Sequence, residues 1–174
     1  MRTSPPHGRP KEGSLPLGGK ARSAKGAHTT RRRARELVLQ GLYQRQLSGN
    51  AHEAIRAQLA DAMGFAKVDE AYFDALWTGV TDEYDALVVL FAPDLDRRAA
   101  RLSPVERAIL VIGAWELLHR PEIPCRVVIN EAIELAKSYG GTDGHKFVNG
   151  VLDKLAASLR PTEMDAMRQG TGAV

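Results

Sequence analysis

From residue 30 to residue 161, apolar side chains recur every three or four positions, the spacing that gives a helix one buried face. The first stripe runs from about Thr30 to Leu47. Ala34, Leu37, Val38, Gly41 and Leu42 share one side, while Arg31, Arg35 and Gln44 lie largely off it. Thr29 or Thr30 can cap this helix, and Ser48-Gly49-Asn50 ends it. A weaker stripe, Ile55, Leu59 and Met63, predicts a second helix over about 52–63. A third begins near Asp69 and keeps a broad apolar band from Tyr72 to Phe91, with Gly79 softening its middle, until Ala92-Pro93. A short turn over about 94–101 follows.

Ser103-Pro104-Val105-Glu106 is the sharpest local signal. Ser supplies the N-cap, Pro the first helical residue, and Glu the returning side chain of a capping box. The helix it opens reaches about His119, with Ala108, Ile109, Ile112, Trp115 and Leu118 facing inward. Pro121 and Pro124 bracket a loop. A helix from Val127 to Tyr139 ends at Gly140-Gly141, and another runs from about Gly144 to Leu159, where Pro161 stops it. No segment alternates with the period of a strand; Val127-Val128-Ile129 is β-prone but runs directly into a helical pattern. The predicted fold class is therefore all-α, six or seven helices with short connections packed as antiparallel bundles.

Residues outside this region read differently. Positions 1–28, rich in Gly, Pro, Ser and basic residues, carry too little apolar surface to offset their ordering entropy and are expected to be a disordered arm. Residues 29–161 form the helical domain, and the weakly patterned 162–174 are expected to fray. Charge follows the same division. Residues 1–35 hold ten Lys or Arg against one acid; residues 36–174 hold fourteen against twenty. A basic N-terminal part on an acidic body points to a localised polyanion contact. The single cysteine, Cys125, rules out an intrachain disulfide and suits a reducing, cytoplasmic compartment. Apolar runs such as 87–92 are far too short to span a bilayer, and no secretory h-region is visible.

Candidate chemistry is sparse. There is no phosphate-binding P-loop, no nucleophile elbow and no His pair at metal spacing, so neither a metal site nor a catalytic centre is predicted. Glu131 and Glu134 read as a solvated face, and Cys125 as an inert thiol. Arg31, Arg32, Arg33 and Arg35 stand where the first helix is predicted to start. Four cations there oppose the helix dipole unless an anion faces them, which favours nucleic-acid binding over a merely solubilising role. Tyr43 is read equally well as a core residue or as part of that surface. Lys146-Phe147, after the Gly-rich loop 140–144, offers a cation beside an aromatic ring that can pack in the core or stack on an unpaired base. A protein-binding scaffold stays open as an alternative, and an RNA-modifying enzyme is a weaker one.

These segments are also recognisable together. Arg31-Arg32-Arg33-Ala34-Arg35-Glu36 with Gln40-Gly41-Leu42-Tyr43, Val105-Glu106-Arg107-Ala108-Ile109-Leu110, Asn130-Glu131-Ala132-Ile133-Glu134-Leu135-Ala136-Lys137 and Lys146-Phe147-Val148-Asn149-Gly150-Val151-Leu152-Asp153 resemble, in order, the NusB family of bacterial transcription antitermination factors. The resemblance covers about residues 30–161. It implies two helical bundles, no catalytic activity and no required cofactor. It implies binding of boxA RNA, a short single-stranded element of ribosomal RNA leaders. The implied partner is NusE, a small-subunit ribosomal protein, within the RNA polymerase antitermination complex, with the chain a monomer or a homodimer. Carried over by position, Arg31, Arg32, Arg33 and Arg35 become phosphate contacts, with Tyr43 near the RNA. Lys146 and Phe147 become a charge-plus-stacking pair, Asp143 lies in the same loop, and Glu106 sits at the NusE contact while also serving the capping box. The related domain fused to RNA cytosine methyltransferases is disfavoured, because 174 residues leave no room for a methyl-donor-binding domain.

Overall fold

The computed structural model describes residues 24–62, 64–96 and 101–171. Among them are eight α-helices and no strand: α1 (Ala24–Ser48), α2 (His52–Ala60), α3 (Glu70–Asp82), α4 (Tyr84–Phe91), α5 (Pro104–His119), α6 (Cys125–Tyr139), α7 (Gly144–Leu159) and α8 (Pro161–Thr171). The expected all-α class holds. Residues 1–23 of the expected arm, and the inward Met63, lie outside the described residues.

The organising element is α5. Its capping box forms as the sequence requires: the Glu106 N–H donates to Ser103 Oγ at 3.1 Å, and the Ser103 N–H donates to Glu106 Oε2 at 3.2 Å. From Ala108 to Leu117 every residue is buried. A helix buried all round must be a shared wall, and α5 packs against α1, α3 and α4 on one side and α6 and α7 on the other. The two bundles thus share one core. The expected inward face of α5 understates its burial, and Leu118 departs from it by lying 44% exposed in the last turn.

Gly79 shows how closely the bundles pack. A Cβ there would lie 2.0 Å from the indole Nε1 of Trp115 and 2.3 Å from its Cε2. Ala is the better helix former by about 1 kcal/mol, but the clash opposes it. Overpacking costs of about 1–3 kcal/mol are usual, and Trp115, 6% exposed in the core, has little space to retreat. Gly79→Ala is therefore expected to destabilise the fold by about 1–2 kcal/mol net, read as a lower urea midpoint. Gly79 thus fits helix to helix rather than softening α3.

Four expectations about element boundaries are corrected. First, α1 begins at Ala24, so residues 24–28 are helical, and Thr30 is not a cap but donates its hydroxyl to the Ala27 carbonyl at 2.9 Å. Second, the single third helix is two. Glu83 (φ −103°, ψ 14°) leaves helical geometry between α3 and α4. The Glu83 N–H still donates to the Gly79 carbonyl, and the Glu83 carbonyl accepts from Leu87, so the apolar stripe runs through the bend almost in phase. Third, α6 starts at Cys125, two residues earlier than its stripe indicates.

Fourth, residues 161–171 form α8 rather than fraying. Pro161 ends α7 and opens α8. Met164 is 2% exposed in the core, and the Cys125 N–H donates to Glu163 Oε1 at 2.6 Å. Arg160, between the helices, holds the junction. Its guanidinium donates to the carbonyls of Glu116, Leu117, Arg120 and Ile123 at 2.7–3.0 Å, mostly at the C-terminus of α5. Burial, with the Glu163 carboxylate beside it, pushes the Cys125 thiol up to about 11, so it is inert at neutral pH.

Candidate nucleic-acid interface

With α1 starting at Ala24, the arginine block begins two turns inside the helix rather than at its mouth. The unpaired N–H groups and the positive dipole end belong to residues before Arg31. The argument from dipole opposition therefore fails for these arginines, and what remains is guanidinium chemistry and its direction.

Successive residues point about 100° apart around a helix, so the block fans out. Arg31 lies against α3, with its guanidinium 5.0 Å from the Tyr72 ring centroid and Nε 4.0 Å from Asp69. Arg32 faces α6, where Nε and Nη2 donate to the two oxygens of Glu131 at 3.0 and 2.8 Å. This hydrogen-bonded carboxylate raises the Arg32 pKa further. Arg33 reaches Glu36 at 2.9 Å. All three remain partly exposed, at 33–40% of the side chain.

Arg35 is different and corrects the expectation of a fourth phosphate contact. Its side chain is 2% exposed. Nε and Nη2 donate to the 1%-exposed Glu116 on α5 at 2.8–3.1 Å, and Nη1 stands 3.5 Å from Glu131. The Tyr72 hydroxyl also donates to Glu116. Burial pushes the Glu116 carboxyl upward against the pull of Arg35. Glu131 is corrected too: it is 3% exposed and not a solvated face. Its burial opposes ionisation, yet Arg32, Arg35 and His28 together hold it below the usual carboxylate range.

A surface seam continues from Arg32. Residues 32 and 43 are three turns apart and nearly in line on α1. Tyr43, 42% exposed, stands with Leu39 and Gln40 opposite Val105 and Tyr139 around a groove of about 270 Å³. Tyr139, 41% exposed at the end of α6, is a candidate stacking residue that the sequence reading missed. Its place in the last position of α6, directly before Gly140-Gly141, was the available signal.

The chain then passes through the loop to α7. Asp143 (77% exposed) and Lys146 (74%) pair loosely at 3.4 Å. Phe147 is half-buried on the core, with one edge in a groove of about 280 Å³ lined by Arg101, Leu102, Glu106, Gly141, Thr142 and Asp143. Glu106 lines this groove while closing the capping box, and a Cβ at Gly144 would lie only 3.0 Å from its Oε1. Thus Asp143, Lys146, Phe147 and Glu106 lie together. Arg32 and Tyr43 join them through the α1–α6 seam, Arg31 and Arg33 point to other sides of α1, and Arg35 is inside. Among the described residues, no His, Cys, Asp and Glu cluster is arranged for a metal, and no helix is long and apolar enough to cross a membrane.

Comparison with known proteins agrees with this architecture. The NusB family model matches residues 32–157. The chain is 57% identical over 140 residues to the transcription antitermination protein NusB of Ralstonia nicotianae, covering 80% of this chain and 90% of that one. It is 49% identical to the NusB of Cupriavidus pinatubonensis over 97% of this chain and all of that one, so most of residues 1–23 fall within that match. Thermotoga maritima NusB superposes with a TM-score of 0.68 at 31% identity, covering 78% of this chain and 96% of that structure. The family match, the near-full-length relatives and the shared helical fold together make this chain a member of the NusB family of transcription antitermination proteins.

Proposed function

We propose that this antitermination protein acts by binding single-stranded boxA RNA of ribosomal RNA leaders together with NusE, within the RNA polymerase antitermination complex. It serves as an adaptor that does no chemistry on the RNA. The observation that carries the reading is the exposed Lys146 beside the half-buried Phe147 at the start of α7. A ring anchored in the core and bordering an open groove loses little entropy when a base stacks on it, and the adjacent ammonium meets the phosphate. Arg32, Tyr43 and Tyr139 extend the path along α1 and α6. Arg31 and Arg33, on other sides of α1, add positive potential beside the path, and Asp143 stands in the loop next to Lys146. Glu106, at the groove beside Phe147, is assigned to the NusE contact.

Titration of the purified protein with a boxA strand and a scrambled strand, at several salt concentrations and with or without NusE, tests this. Arg32→Ala and Lys146→Ala are each expected to flatten the slope of log affinity against log salt by about 0.7, the share of one phosphate. Phe147→Ala is expected to weaken binding about tenfold while leaving the slope unchanged, because a stacked base releases no counterion. Equal, weak binding to both strands, with and without NusE, would overturn the proposal.

A further inference from the structure

Phe147 has two open sides. Beyond the groove it shares with Glu106, a second groove of about 210 Å³ lies toward α4, lined by Asp94, Asp96, Lys146, Phe147, Gly150, Val151 and Lys154. Lys146, Gly150 and Lys154 are four residues apart on α7 and therefore line one face of it. Gly150 is exposed, and a Cβ there would meet nothing within 4 Å, so the floor between the lysines is open. Asp94 and Asp96, at the end of and just after the 3-10 turn Ala92–Asp94, form the facing wall. One wall is cationic, the other anionic, and an aromatic edge stands at the entrance.

We infer that this groove is a second single-stranded RNA subsite, continuing the strand past Phe147, with phosphates along Lys146 and Lys154 and base edges toward Asp94 and Asp96. The inference rests on the RNA-binding reading above. The two walls are what favour RNA over an acidic peptide. A carboxylate wall repels every anion, but it accepts hydrogen bonds from the exocyclic amino groups of cytosine and adenine. A strand that carries anions on one edge and amino donors on the other fits; a uniformly acidic peptide does not. Length agrees too. Lys146 and Lys154 are eight residues apart, about 12 Å along the axis, which spans about three stacked nucleotides at 3.4 Å each.

The test uses the full chain and two sets of RNA: a core strand that binds, and the same strand extended by three nucleotides at its 5′ or its 3′ end. Extension at one end by cytidines or adenosines is expected to tighten binding about three- to fivefold, the worth of one exposed charge contact. Uridines, which lack an amino donor, should give a smaller gain. Lys154→Ala should abolish the gain and leave the core strand's affinity as it was. Gly150→Glu, which places an acid on the open floor, should do the same. Both positions are exposed, so folding is not at stake. An extension that gives no gain at either end, a gain that survives Lys154→Ala, or equal gains for cytidine and uridine would overturn the subsite. Failure of the core strand itself to bind would instead overturn the RNA-binding reading on which it rests.

Discussion

Arg35→Met is expected to lower the stability of the fold by about 3–5 kcal/mol, although the residue sits among arginines read as RNA contacts. The substitution keeps the length of the side chain and removes its charge. Glu116 would then stay in the middle of α5, 1% exposed, with the Tyr72 hydroxyl as its remaining partner. An uncompensated buried carboxylate is costly, and it would take up a proton instead of remaining charged. Glu131 would also lose Arg35, but it keeps Arg32 and His28. In a domain of this size the change corresponds to a drop of about 10 °C in melting temperature. The double substitution Arg35→Met with Glu116→Leu is expected to recover most of the loss, because two apolar groups in place of a buried ion pair are often neutral. Thermal or urea unfolding of wild type, both single variants and the double variant checks this as a cycle. An Arg35→Met protein with wild-type stability and weakened RNA binding would return Arg35 to the interface.

Arg160→Met is expected to cost about 3 kcal/mol. The guanidinium, 10% exposed, satisfies carbonyls of Glu116, Leu117, Arg120 and Ile123 that would otherwise end in a dry junction between α5, α7 and α8. Its cation also lies at the negative end of the α5 dipole. Arg160→Lys should recover only part of the loss. A single ammonium has three donors and no planar fork, so it cannot reach four carbonyls spread around the guanidinium. Release of α8 is the expected structural consequence, because Glu163 is held by Arg160 at 3.3 Å as well as by the Cys125 N–H. Faster hydrogen exchange in residues 161–171 than in α7 of the variant would report it. Unchanged unfolding and exchange would show that water replaces the guanidinium at the α5 terminus.

Both positions illustrate what a helical stripe conceals. Arg35 falls between Ala34 and Leu37 in a helical run, and both its charge and its position place it off the apolar face. Glu116 follows Trp115 in α5, where every residue from Ala108 to Leu117 is buried. Neither helix by itself shows that the two are a pair; they meet because α5 crosses α1 at that level. A single side chain's periodicity carries no information on which residue of another helix will meet it. The same holds for Glu131, whose partners Arg32, Arg35 and His28 come from a helix about a hundred residues earlier in the chain.

The candidate site divides along the same line. Lys146, Phe147 and Asp143 could be grouped from the sequence because they are neighbours along the chain, and the structure keeps Asp143 and Lys146 exposed beside Phe147. Tyr139 and the second groove could not, because they depend on what α1 and the α4 end bring alongside α6 and α7. The arginine block was legible as charge and misread as a helix mouth. Ala24 to Thr30 carry too few apolar groups to announce a helix; there Thr30 donates back to Ala27, and His28 meets Glu131 of α6 at 2.6 Å.

By itself, then, the sequence determined the all-α class, α5 with its capping box, the stretches that become α6 and α7, and the family. All of these rest on interactions between residues a few positions apart, which local spacing encodes. Only the tertiary structure decided which charges are buried, which arginine faces the seam, where α3 bends into α4 and why α8 holds. Those outcomes depend on desolvation and on partners supplied by other helices, and neither exists until the two bundles close on α5.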